Sequence, residues 1–174
     1  MTNLLITGLP RSGKTTLVRK LIELDILKNK TGGFFTEELR ERGERVGFMI
    51  NTIPDGKTAL LARKNFLSSF RLGRYGINIK ALEELGCEAI EKALQKKKIV
   101  IVDEIGKMEL FSDLFQVVLL EALNSPHKVL ATIMERPNPF VDKIKNRTDV
   151  KLLSLDRQNF MNVFDKSKEW IKRS

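Results

Sequence analysis

Cysteine and histidine are nearly missing from this sequence: its 174 residues include one of each, Cys87 and His127. A lone cysteine closes no internal disulfide, and one cysteine with one histidine cannot complete a zinc site of the usual Cys and His type. The composition suits a reducing cytoplasm. Also absent is any apolar run near the roughly 18 residues needed to span a membrane, and Met1 to Thr7 has neither the basic start nor the apolar stretch of a secretory signal. No membrane partner is expected. There is no internal repeat, low-complexity tract or linker, and 42% hydrophobic with 30% charged residues is a globular composition rather than a disordered or fibrous one. The length corresponds to a single domain spanning residues 1–174.

What is present is positive charge. The 31 Lys and Arg against 22 Asp and Glu give +9, which suits polyanionic partners such as nucleic acids or nucleotides. The basic residues are interleaved with acids along the whole chain, so charge alone selects none of them. The densest run, Lys96-Lys97-Lys98, falls at an expected helix end, where cations complement the negative pole.

Leu4-Leu5-Ile6-Thr7 is a short apolar run ending in a glycine loop, as a buried parallel strand would be. After Thr15, the apolar positions Leu17, Val18, Leu21, Ile22 and Leu24 follow helical spacing. Phe34 to Leu39 and Arg45 to Ile50 flank the turn Arg42-Gly43-Glu44, and Thr58 to Ala62 follows Pro54-Asp55-Gly56-Lys57, which predicts a small antiparallel hairpin inserted at about 33–63. Asn65 to Gly76 reads as irregular, and Asn78 as the cap of a helix running to about Lys97. From Ile99 onward strands alternate with helices: strands at Ile99 to Val102, Val129 to Ile133 and Lys151 to Leu155, helices at Ser112 to Leu123, Phe140 to Lys145 and Asn159 to Ile171. The alternation predicts an α/β fold with a mostly parallel sheet flanked by helices.

The octapeptide Gly8-Leu9-Pro10-Arg11-Ser12-Gly13-Lys14-Thr15 matches G-x-x-x-x-G-K-[ST] and lies between the first strand and the first helix, the context a phosphate-binding loop requires. Glycines let the backbone wrap a phosphate, and amides at the helix start favour the anion. In this reading Lys14 reaches the β- and γ-phosphates, Thr15 ligates Mg²⁺ and Thr16 bonds the α-phosphate. Asp103-Glu104 follows a β-branched strand and so lies at the ligand-binding edge of a parallel sheet. Asp103 is assigned to the magnesium ion, and Glu104 to polarising the water that attacks the γ-phosphoryl group, which favours hydrolysis over transfer.

Asp103-Glu104-Ile105-Gly106 also fits the D-x-x-G of GTPases. Their guanine-reading N-K-x-D has no counterpart, because Asn146-Arg147-Thr148-Asp149 lacks the lysine and precedes a strand rather than following one. Weak base selectivity is therefore expected. Arg136, after the strand ending at Ile133, is the first candidate for stabilising transition-state charge, and Lys107 the second. Arg71, Arg74 and Tyr75 are candidates to close over the nucleotide, with Tyr75 or a phenylalanine stacking on the base. His127 reads as a loop residue and Cys87 as packing.

Thr7 to Thr16, Gly33-Phe34-Phe35-Thr36-Glu37-Glu38, Val46-Gly47-Phe48, Gly73-Arg74-Tyr75-Gly76, Val102-Asp103-Glu104-Ile105-Gly106-Lys107-Met108-Glu109 and Arg147-Thr148-Asp149-Val150 together resemble a small nucleoside-triphosphatase family of thermophilic bacteria and archaea with animal relatives. The resemblance implies a RecA-like P-loop fold and Mg²⁺-dependent hydrolysis of several nucleoside triphosphates to diphosphates. It also implies nucleotide contacts along Gly8 to Thr15 and along Val100, Ile101, Val102, Asp103, Glu104, Ile105, Gly106 and Lys107. The competing readings are a nucleotide or nucleoside kinase, with Arg40, Arg42 and Arg45 on a basic lid, and an RNA-associated ATPase. Nucleic acid is the less favoured partner, and no protein partner can be inferred.

Overall fold

The structure is a computed structural model that describes residues 3–96 and 98–173. Strands β1 (Asn3–Gly8), β2 (Thr31–Glu41), β3 (Glu44–Ile53), β4 (Thr58–Lys64), β5 (Arg71–Leu72), β6 (Tyr75–Ile77), β7 (Ile99–Ile105), β8 (Val129–Met134) and β9 (Val150–Ser154) form one sheet in the order β5-β6-β4-β3-β2-β7-β8-β1-β9. The five strands β2, β7, β8, β1 and β9 run parallel, and the other four extend the sheet in antiparallel fashion beyond β2. Within the parallel half, β8 lies between the two strands that deliver the glycine loop and the acidic pair.

The helices are α1 (Lys14–Ile22), α2 (Ile79–Ala81), α3 (Glu88–Gln95), α4 (Asp113–Asn124), α5 (Pro139–Lys145) and α6 (Phe160–Lys172). The parallel strands are apolar along most of their length, yet alternate residues still serve different faces, because successive side chains leave a strand on opposite sides. Leu4, Ile6, Ile101 and Leu130 pack with Leu17, Val18 and Leu21 of α1 and Trp170 and Ile171 of α6. Leu5, Val100, Val102, Val129 and Ala131 pack with Ile90 of α3 and Phe115, Val118 and Leu119 of α4. Both faces are thus covered, as parallel strands require.

Several expectations change. The antiparallel segment is no insert beside the sheet, since Thr31–Phe35 of β2 pairs in parallel with Ile99–Asp103 while the rest of β2 pairs with β3. One long strand therefore belongs to both halves. The segment expected to be irregular contains the short hairpin β5–β6. Asn78 does cap, accepting from the Ala81 amide at 3.2 Å, but the helix passes through a π-type segment, Leu82–Cys87, before α3 and ends at Gln95. Lys97, in the lysine run, lies outside the described residues. Leu24 falls beyond α1, before a 3₁₀ turn at Asp25–Leu27.

Candidate active site

Gly8 ends β1 and Gly13 precedes α1, with φ of 157° and 100°. A Cβ on Gly8 would lie 2.3 Å from the Leu155 carbonyl oxygen, so only glycine lets the chain turn there. Gly13 carries no side chain to cap α1, and the first turn of α1 contains no acidic residue. The amides at this helix start are left without a side-chain acceptor, which makes them available to an anion.

Lys14 follows at 7% exposure, its ammonium donating to the carbonyls of Gly8 at 2.9 Å and Leu9 at 3.3 Å and lying 3.6 Å from Glu104 Oε1. Glu104 comes from β7. The register of β7 against β8 shifts between Val102 and Ile105, where such irregularities re-aim side chains. Asp103 lies in that interval, fully buried, and Glu104 beside it lines the open cleft.

Asp103 Oδ1 accepts from Thr132 Oγ1 at 2.6 Å, whereas Oδ2 has no protein partner within hydrogen-bonding distance. Burial pushes this carboxyl up to about 6 against the opposing pull of the Thr132 hydroxyl, with the Glu104 charge raising it further and the Thr15 hydroxyl and Thr36 amide lowering it. Thr132 is a second-strand partner that sequence reasoning missed; its one signal was a polar residue within the apolar VLATIM of β8.

Glu109 was also missed as a separate group. It is 2% exposed and lines the same cleft, with Oε1 unpartnered. A Cβ on Gly106 would lie 3.1 Å from Glu109 Oε2 and 3.5 Å from Glu104 Cγ, so this glycine keeps the space between the two carboxylates open. Burial, then the charge of Glu104, pushes the Glu109 carboxyl up to about 8. An unfolded glutamate ionises near 4.5, so between pH 4.5 and 8 the folded chain holds a proton that the unfolded chain has released, and stability falls as pH rises through that window. Glutamine ionises in neither state. In metal-free protein, Glu109→Gln is expected to raise Tm relative to the parent by at least about 4 °C at pH 8.5, with little difference at pH 4.5. Thermal melts across this range check it, and a difference independent of pH would place an ionised Glu109 in the native protein.

The cleft has a volume of about 910 Å³ and is walled by the loop from Gly8 to Thr16, by Glu104 and Gly106 to Glu109, and by Arg136 after β8. Arg136 and Lys107 thus reach the cleft, as expected for both. Ser12, inside the loop, has a buried Oγ without a partner. Val100, Ile101, Val102 and Ile105 do not reach it: all four are fully buried between the helical layers and support β7 without offering a side chain to a nucleotide. Tyr75 is also unavailable as an open stacking surface, being buried edge-on against Phe48 with ring centroids 5.6 Å apart. Arg71 bonds the carbonyls of Phe66 and Arg74 at 3.4 Å, and of the three hairpin arginines only Arg45 lines the cleft.

Arg147 clamps Asp149 through two bonds of 2.9 Å, and Asn3 at the start of β1 bonds the same carboxylate at 3.1 Å. That cluster sits at the opposite end of β1 from Gly8, so the near-match to a guanine reader is a structural clamp. Cys87 is buried with its thiol pushed up to about 12, chiefly by desolvation, in keeping with packing. Among the described residues no helix is long and apolar enough to cross a membrane.

An uncapped helix start behind a G-x-x-x-x-G-K-T loop, facing a buried aspartate and a cleft-lining glutamate one strand beyond β8, defines a P-loop nucleoside-triphosphate site. The NTPase family profile matches residues 3–167, and the chain belongs to that family. Nucleoside-triphosphatase THEP1 of Thermotoga maritima is 49% identical over 156 residues, covering 90% of this chain and 87% of the relative. The THEP1 of Aquifex aeolicus superimposes in its crystal structure with a TM-score of 0.86 at 37% identity, over 95% of this chain and 96% of that one. A human cancer-related nucleoside triphosphatase, solved in solution, gives 0.84 at 31% identity over 100% and 99%.

Proposed function

We propose that the protein hydrolyses nucleoside triphosphates to nucleoside diphosphate and phosphate, with weak preference among bases. The observation that carries this reading is Glu104, held 3.6 Å from the ammonium of Lys14 where the cleft meets the phosphate loop. A carboxylate at that point accepts the proton of an attacking water while Lys14 and the loop amides hold the phosphates. Thr16 reaches the α-phosphate, and Arg136, with Lys107 as the alternative, supplies the cation for charge developing on the transferred group. Nothing in the cleft resembles a guanine reader. The reaction runs in the cytoplasm.

A divalent cation fits the residues present. The buried Asp103 Oδ2 has no protein partner, and the Thr15 hydroxyl lies beside the same carboxylate, a hard oxygen pair of the kind Mg²⁺ takes. When bound, the ion neutralises phosphate charge. Asp103→Asn keeps the shape and loses the charge, so it is expected to raise the Mg²⁺ concentration for half-maximal activity by about tenfold while leaving metal-free nucleotide binding within about twofold of the parent, a separation of roughly 1.4 kcal/mol. An unchanged magnesium titration would place the metal elsewhere. Phosphate release from ATP, GTP, CTP and UTP in turn tests the proposed activity, and release from none of them would refute it.

A further inference from the structure

We propose that the part of the cleft beyond Glu104 is a second substrate subsite, and that a nucleoside binds there and accepts the γ-phosphoryl group on a hydroxyl. This inference rests on the proposed function of the phosphate loop and Glu104. The sheet order β1-β8-β7-β2-β3 sets the direction. A phosphate chain running from Thr16 past Lys14 to Glu104 aims its terminal group at β2 and β3. In-line displacement brings the nucleophile from the side away from the leaving oxygen, which is this part of the cleft.

Hydrolysis needs room there for one water, about 30 Å³. The cleft instead continues over Phe48, Leu72 and Met108, which make apolar walls, and over Arg45. The Arg45 guanidinium lies 5.1 Å from the Phe48 ring centroid and 6.0 Å from that of Tyr75. It is held flat by Glu38 at 2.9 Å and by the Tyr75 hydroxyl at 3.4 Å. A fixed guanidinium on aromatic rings is a platform for a further planar ring.

Electrostatics choose among planar-ring ligands. Arg45 is already neutralised by Glu38, and Arg19 by Glu37, while Glu109 adds a buried unpartnered oxygen on the same side. Carboxyl groups repel an anionic acceptor and accept hydrogen bonds from sugar hydroxyls. The neutral nucleoside therefore fits better than its monophosphate. In the step, the acceptor oxygen forms the new bond to the γ-phosphorus and the bond to the β–γ bridging oxygen breaks with its electron pair onto the diphosphate. The hydroxyl proton passes to the Glu104 carboxylate and from there to solvent on release. The products are a nucleoside diphosphate and a nucleoside monophosphate.

The test incubates the full chain with γ-labelled ATP and Mg²⁺, alone and with adenosine, guanosine, cytidine or uridine, and separately with the four monophosphates. Label is expected in a nucleoside monophosphate. Phe48→Ala and Arg45→Gln are expected to cut that transfer at least about tenfold while acceptor-free phosphate release stays within about twofold of the parent, which also shows that the variants fold. Release of phosphate to water with no labelled nucleoside product overturns the acceptor site and leaves the hydrolase reading standing. Transfer to monophosphates in preference to nucleosides overturns the neutral acceptor. A parent that neither releases nor transfers label overturns both readings.

Discussion

A Glu104→Gln variant is expected to bind magnesium-nucleotide at least as tightly as the parent and to turn it over about 10²-fold or more slowly, the scale for losing a positioned general base. The two effects separate because the carboxylate serves different ends in the two states. Before reaction, its negative charge faces the place of the terminal phosphate and is balanced only by Lys14 at 3.6 Å. Glutamine removes that repulsion and frees the ammonium for the phosphates. In the transition state the same carboxylate accepts a proton, which glutamine does not do, so the loss falls on kcat rather than on binding. Single-turnover phosphate release and nucleotide titration on one preparation check both halves. Parental kcat with parental affinity would remove Glu104 from the chemistry.

Lys14→Ala is expected to lower turnover by about 10³-fold and to weaken triphosphate binding more than diphosphate binding, because the ammonium is the one charge the loop places between the β- and γ-phosphates. The surroundings favour a loss of function over a loss of fold. The ammonium rests on two loop carbonyls and Glu104, at the cleft, and the apolar side of α1 is carried by Leu17, Val18 and Leu21 in the core. Truncation leaves those carbonyls facing a cleft that solvent can enter. Phosphate release measured beside a thermal melt distinguishes the outcomes. Turnover within about twofold of the parent, under roughly 0.5 kcal/mol of barrier, would mean the loop does not hold the phosphates this way.

The phosphate loop was legible because its chemistry is local. Turn glycines, Lys14 and the first turn of a helix are contiguous, so eight residues in a row carry both the pattern and the reason for it. The acidic pair was legible for a similar reason, since a β-branched run in a parallel sheet brings whatever follows it to the ligand edge. Misreadings arose where a residue's part depends on what lies across from it. Val100 to Val102 belong to the right strand but point into the two cores. Tyr75 has the right ring but is covered by Phe48 and Arg45.

By itself, the sequence determined the α/β alternation, the loop between β1 and α1, the carboxylates at the end of β7 and the membership in a family of nucleoside triphosphatases, all of which depend on neighbours within a few residues. Only the tertiary structure decided that β2 joins the antiparallel strands to the parallel sheet, that Thr132 supports Asp103, that Glu109 is buried beside Glu104, and that Arg45 and Phe48 extend the cleft beyond the phosphate site. The physical reason is separation along the chain. Thr132 and Asp103 stand 29 positions apart, and their 2.6 Å bond exists because β7 and β8 pair in a particular register, a choice made by the burial of whole strands rather than by either residue.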